Sequence, residues 1–208
     1  MYNFTVPMAL MDFVPVILFG VTAVLLLRDL YNKMVKGAYA LLAAGSVNTF
    51  LAGFCKALWK FLYAANICDF TVLEKMFMPV NSLGLLFAGL GIIGMLCRKR
   101  RSTALSVAPV AVSGSIFFIA AMVVGLGGIC AGLSILAARL KKRKTIVLFV
   151  LSFVFAMGMG YMSGQDFTVG WVSWAEQSIN TVSQLCLMLG VLILHKAGLK
   201  ELTWEAGK

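Results

Sequence analysis

Glu176, Asn180 and Gln184 stand at i, i+4 and i+8 within the apolar stretch W-V-S-W-A-E-Q-S-I-N-T-V-S-Q-L-C-L-M-L-G-V-L-I-L, Trp171 to Leu194. That spacing puts one carboxylate and two carboxamides on a single face of a helix, with Ser173, Gln177 and Ser183 close to it. Such groups hold charge and exchange hydrogen bonds. Inside a membrane span they are costly unless they face protein partners or a water-filled cavity. Polar side chains interrupt other apolar runs too. Lys56 and Lys60 share a helix face at i, i+4, and Asp12, Glu74, Lys75 and Asn81 lie in neighbouring runs. The candidate solute-binding set is Glu176, Asn180, Gln184, Lys56, Trp174, Asn81 and Glu74. Trp174 is included as the aromatic nearest Glu176. The competing structural reading gives Asp12, Lys60, Lys75 and Glu74 to an ion-pair network or to snorkelling at the interface. It gives Trp59, Trp171 and Trp174 to an interfacial aromatic belt.

These groups need a scaffold, and composition defines it. The chain has 208 residues, 61% of them hydrophobic and 12% charged, with a mean hydropathy of +0.95. Soluble domains carry roughly 25% charge, and several runs here exceed the ~18 apolar residues that mark a spanning helix. The fold class expected is an all-α polytopic membrane protein, residues 1–208 forming one transmembrane domain. The net charge of +10 sits in short clusters between apolar runs, the pattern of cytoplasmic loops, so no nucleic-acid partner is expected. The N-terminus lacks a basic region and a small-residue cleavage site, and no cleaved signal peptide is expected. Cys55, Cys68, Cys97, Cys130 and Cys186 form no C-x-x-C and have one histidine, His195, to join them; no metal or other cofactor is expected. Cys55 and Cys68 fall toward one end and are a candidate pair.

The runs read as spans at about 10–27, 37–65, 72–96, 145–162 and 171–194, with residues 102–138 between them uncharged. As one helix that stretch would reach about 55 Å, against a ~30 Å hydrocarbon core. Charge favours two helices, about 103–118 and 120–138, with Gly114 a candidate for the turn. Every lysine and arginine except Lys56, Lys60 and Lys75 then falls in four clusters on one side. By the positive-inside rule that side is cytoplasmic. Seven spans follow, with the N-terminus outside and the C-terminus inside, in what is expected to be a prokaryotic cytoplasmic membrane.

D-F-T-V occurs at Asp69–Val72 and again at Asp166–Val169, each time before a span. Beyond a five-residue insertion, Glu74 aligns with Glu176 and Asn81-Ser82 with Ser183-Gln184. A parallel duplication would make residues 10–97 the first repeat and 120–196 the second, joined by an inverting helix at 103–118. Parallel repeats are a transporter plan with the substrate site between them. This layout resembles, in topology and length, the three-plus-one-plus-three architecture of SWEET sugar exporters, PQ-loop proteins and PnuC vitamin transporters. There is no Pro-Gln dipeptide, and Pro15, Pro79 and Pro109 do not recur at matching places in the two halves. No residue of those families carries over.

No P-loop, G-x-S-x-G or HExxH occurs, so no enzyme is expected. The glycines of 84–91 and 125–132 form small-residue faces suited to close helix packing. The function expected is a permease for a small polar solute, with its site between the repeats in the outer half of the membrane. The alternatives are a seven-helix receptor or sensor, or a substrate-binding subunit of a larger transport complex. The partners expected are the lipid bilayer and a small-molecule solute, with a second copy or a partner subunit as further candidates.

Overall fold

A computed structural model describes residues 5–96, 115–162 and 170–202. Their regular structure is helical throughout: α1 (Val6–Met11), α2 (Phe13–Leu30), α3 (Lys36–Ala64), α4 (Thr71–Leu96), α5 (Ser115–Arg139), α6 (Ile146–Met162) and α7 (Gly170–Lys196). Counting α1 and α2 as one unit, Val6–Leu30, six helices are long and apolar enough to cross a membrane. The break between α1 and α2 falls at Asp12. Pro15 has no N–H for the Met11 carbonyl, which weakens the helix there.

Helix ends follow local chemistry. Asn66 closes α3 in the left-handed region (φ 54°), with Ile67 N–H bonding Leu62 O at 3.0 Å and Asn66 N–H bonding Tyr63 O at 3.1 Å. These are the paired bonds of a Schellman cap. Lys141 (φ 57°) closes α5 in the same way, Lys142 N–H reaching Ala137 O at 2.8 Å. Inside α4, Pro79 removes one ladder donor, and Ser82 Oγ donates to the Met78 carbonyl one turn back.

Close contacts fix the helix directions. Gly91 lies against Leu42 and Gly84 against Thr49, so α3 and α4 are antiparallel. Phe149 packs on Gly190 and Ser183 on Ser152, so α6 and α7 are antiparallel too. In contrast, Gly125 sits between Leu85 and Gly89, and Gly132 against Ile92, so α4 and α5 run side by side in the same direction. Likewise α2 packs along α7, with Asp29 and His195 meeting at their C-terminal ends. The turns at 31–35 and 140–145 and the ends of α4 and α7 share one end of the bundle, called here the basic end.

The two halves of the bundle differ. Toward the basic end, Leu30, Leu42, Ile92, Leu133, Leu136, Phe149, Val191 and Leu194 form a dry apolar core. Toward the other end, the buried residues include Asp12, Lys60, Asn81, Ser173, Glu176 and Gln177. Apolar side chains such as Ile17, Val24, Ile116 and Val147 point outward, as a lipid-facing surface requires.

The span bounds expected from sequence differ in one place. No boundary falls between residues 118 and 120: α5 is continuous from Ser115 to Arg139. Ile116–Ala121 offers no charge, proline or glycine to end a helix, so α5 extends back through it. Residues 103–114, Gly114 among them, lie outside the described residues, as does the second D-F-T-V. Cys55 and Cys68 are free thiols, not a disulfide.

Candidate functional site

A cavity of about 140 Å³ opens among α2, α3, α4, α5, α6 and α7 in the half of the bundle away from the basic end. A single water needs only ~10–15 Å³ of such space. Its apolar lining includes Phe19, Phe50, Phe77, Met122, Met157 and Leu187; its polar lining is Asp12, Thr49, Lys56, Asn81, Glu176, Gln177, Asn180 and Gln184.

Each polar group arrives by helical periodicity. On α7 the buried or half-buried positions 172, 173, 176, 177, 180, 183, 184 and 187 form one stripe, repeating every three to four residues. Glu176, Gln177, Asn180 and Gln184 from that stripe face the cavity. Ser183 lies at its edge and donates to the Ser152 carbonyl at 2.8 Å, binding α7 to α6. From α3, Lys56 reaches over the Phe77 ring of α4, its Nζ 4.4 Å from the ring centroid, a cation–π contact. From α4, Asn81 faces Met122 of α5, Nδ2 to Sδ 3.9 Å.

Charge is partly compensated. Lys60 Nζ lies 2.8 Å from Asp12 Oδ2, with both side chains buried. Such a pair is sustained by mutual attraction in a low-dielectric site. Lys56 and Glu176 also line the cavity but do not pair, since no nitrogen–oxygen approach within 4.0 Å links them. Four polar oxygens of lining residues are themselves sealed from the cavity and have no partner among the described residues: Asp12 Oδ1, Thr49 Oγ1, Gln177 Oε1 and Gln184 Oε1. Buried polar atoms are nearly always satisfied, and an unsatisfied one costs about 1–3 kcal/mol.

Of the seven candidate residues, the cavity brings together Glu176, Asn180, Gln184, Lys56 and Asn81. Trp174 and Glu74 lie outside its lining. Trp174 is 42% exposed on the opposite face of α7. Two residues along a helix turn it about 200°, so a residue at i−2 from Glu176 faces away from it. Glu74 is half-buried near the start of α4. Trp171 is exposed like Trp174, whereas Trp59 is buried and donates from Nε1 to Asp69 Oδ1 at 3.0 Å, tying α3 to the loop before α4. The glycine faces serve packing: a Cβ on Gly91 would come within 2.7 Å of Leu42 N.

Sequence reasoning missed a second polar cluster, at the basic end. Asp29, fully buried on α2, meets His195 Nδ1 of α7 at 2.7 Å through Oδ2. Arg28 completes it, with Nη2 3.0 Å from His195 Nε2 and Nε 3.6 Å from Asp29 Oδ1. A guanidinium can only donate, so Nε2 accepts and Nδ1 carries the proton given to Asp29. The signal was an aspartate ending an apolar run, but its partner lies 166 residues away. Among the described residues no cluster of His, Cys, Asp and Glu is arranged to hold a metal ion. Comparison with protein-family models, curated proteins and solved structures finds no match.

Proposed function

We propose that the chain is a membrane permease for a small polar solute, which binds in the cavity lined by Lys56, Asn81, Glu176, Asn180 and Gln184. The observation that carries this reading is a cavity lined by charged and polar side chains inside helices otherwise apolar enough to span a bilayer. Ionisable residues within spans mark pathways for ions and substrates. The dry core between the cavity and the basic end supports the reading as well. A permease must expose its site to one side at a time, and an apolar plug below a polar cavity is one half of that cycle. By the positive-inside rule the basic end is cytoplasmic and the cavity belongs to the outer half.

The helix pairing favours a parallel duplication. Matching α2, α3 and α4 to α5, α6 and α7 turns the α2–α7 contact into the α5–α4 contact, as a two-fold axis along the membrane normal would. Because α4 and α5 run in the same direction, Leu96 and Ser115 lie at opposite ends of the bundle, which supports a further crossing between them.

The test is flux of small polar solutes into liposomes holding the purified protein. Glu176→Ala removes a charged group worth about 1.5–3 kcal/mol and Asn180→Ala a neutral one worth about 0.5–1.5 kcal/mol, or roughly ten- to a hundredfold and two- to tenfold in the initial rate at limiting solute. Unchanged flux in both variants would sink the assignment of the site.

A further inference from the structure

The charges of the cavity say more about its solute, on the premise that it is a solute site. Asp12 is already neutralised by Lys60 at 2.8 Å. That leaves Lys56 and Glu176, one charge of each sign, lining the same space. Opposite charges in a low-dielectric site attract strongly, yet these two are held apart, beyond 4.0 Å. Phe77 holds the Lys56 ammonium on its own wall. Glu176 is only 5% exposed, and its carboxylate forms no hydrogen bond with another described residue. One wall thus offers a cation and another offers a carboxylate.

We propose that the cavity selects a small zwitterion, a solute carrying one carboxylate and one ammonium. The solute carboxylate pairs with Lys56 Nζ. Its ammonium meets the Glu176 carboxylate. The pairing is electrically neutral, which matches the neutral sum of Asp12, Lys60, Lys56 and Glu176. A solute with a single charge would leave one of Lys56 and Glu176 buried and unmatched, at a cost.

The test uses the purified full-length protein in lipid nanodiscs. Its binding is read from the thermal unfolding midpoint with β-alanine, ethylamine, propionate and glycerol as probes. β-Alanine is expected to raise the midpoint at concentrations where the other three do not. Losing one partner of a desolvated charge pair should weaken β-alanine by roughly thirtyfold or more, in Lys56→Met and in Glu176→Gln alike. The single-charge probes should diverge: Lys56→Met gains ethylamine binding and Glu176→Gln gains propionate binding. Lys56→Arg, which keeps the charge, restores β-alanine and guards against a variant that merely unfolds. The proposal is overturned if ethylamine, propionate or glycerol stabilises the native protein as well as β-alanine does. It is also overturned if both charge-removing variants keep the native response. Flux of glycerol or propionate in liposomes without flux of β-alanine would overturn the zwitterion while leaving the permease standing; absence of flux for all four would count against the permease itself.

Discussion

Asp29 shows how a single side chain can close one end of the bundle. Its carboxylate is buried, one oxygen on His195 and the other facing Arg28, so it clasps the ends of α2 and α7. Removing the imidazole leaves a buried oxygen without its donor. His195→Ala should therefore lower stability by about 1–3 kcal/mol, seen as an earlier thermal unfolding midpoint in detergent. Asp29→Asn added to it should cost less than the sum of the two single changes, because both act on one contact. Additive losses would show that the clasp is not a unit. At this scale the sequence was informative where polarity broke an apolar run: Glu176, Asn180, Gln184, Lys56 and Asn81 all reach the cavity. It misled where nearness along the chain stood in for direction, since Trp174 turns outward two residues before Glu176. It was silent where both partners looked ordinary, as with Asp29 and His195.

Between elements, glycine sets the distance. On α4, a Cβ placed on Gly89 would come 3.0 Å from the Gly125 Cα of α5, with backbone rather than a flexible side chain in the way. Gly89→Val should destabilise by about 1–3 kcal/mol through overpacking, and more if α4 and α5 part. Gly37→Ala, where no described residue lies within 4 Å of an added Cβ, provides the contrast and should be close to neutral. Thermal unfolding of the two variants side by side checks this, and equal losses would refute the close-approach account. The small-residue faces of α4 and α5 were legible because glycine clusters in spans have few other uses. The start of α5 was not. Where every residue from 116 to 121 is apolar or small, charge bookkeeping constrains how many helices cross but not where one begins.

The cavity lies in one half of the molecule and the apolar core in the other, and this partition gives the site its meaning. Among the described residues, six helices long and apolar enough to span a bilayer surround a cavity that holds Asp12, Lys56 and Glu176, while the apolar core lies toward the basic end. Hydropathy revealed the scaffold because burial in lipid demands long apolar runs. Which helices touch was beyond it, since the same apolar runs suit several arrangements. Only contacts such as Gly89 with Gly125 and Asp29 with His195 fix the parallel courses of α4 beside α5 and α2 beside α7. The central claim is that a solute from outside reaches the α7 stripe. The most direct test is thiol labelling of Asn180→Cys, in a chain with its five native cysteines replaced, by a membrane-impermeant maleimide on intact cells. Labelling at position 180, with Val191→Cys in the dry core unlabelled, is the result expected. A residue 180 as shielded as residue 191 would mean that the cavity is sealed polar packing and not a solute site.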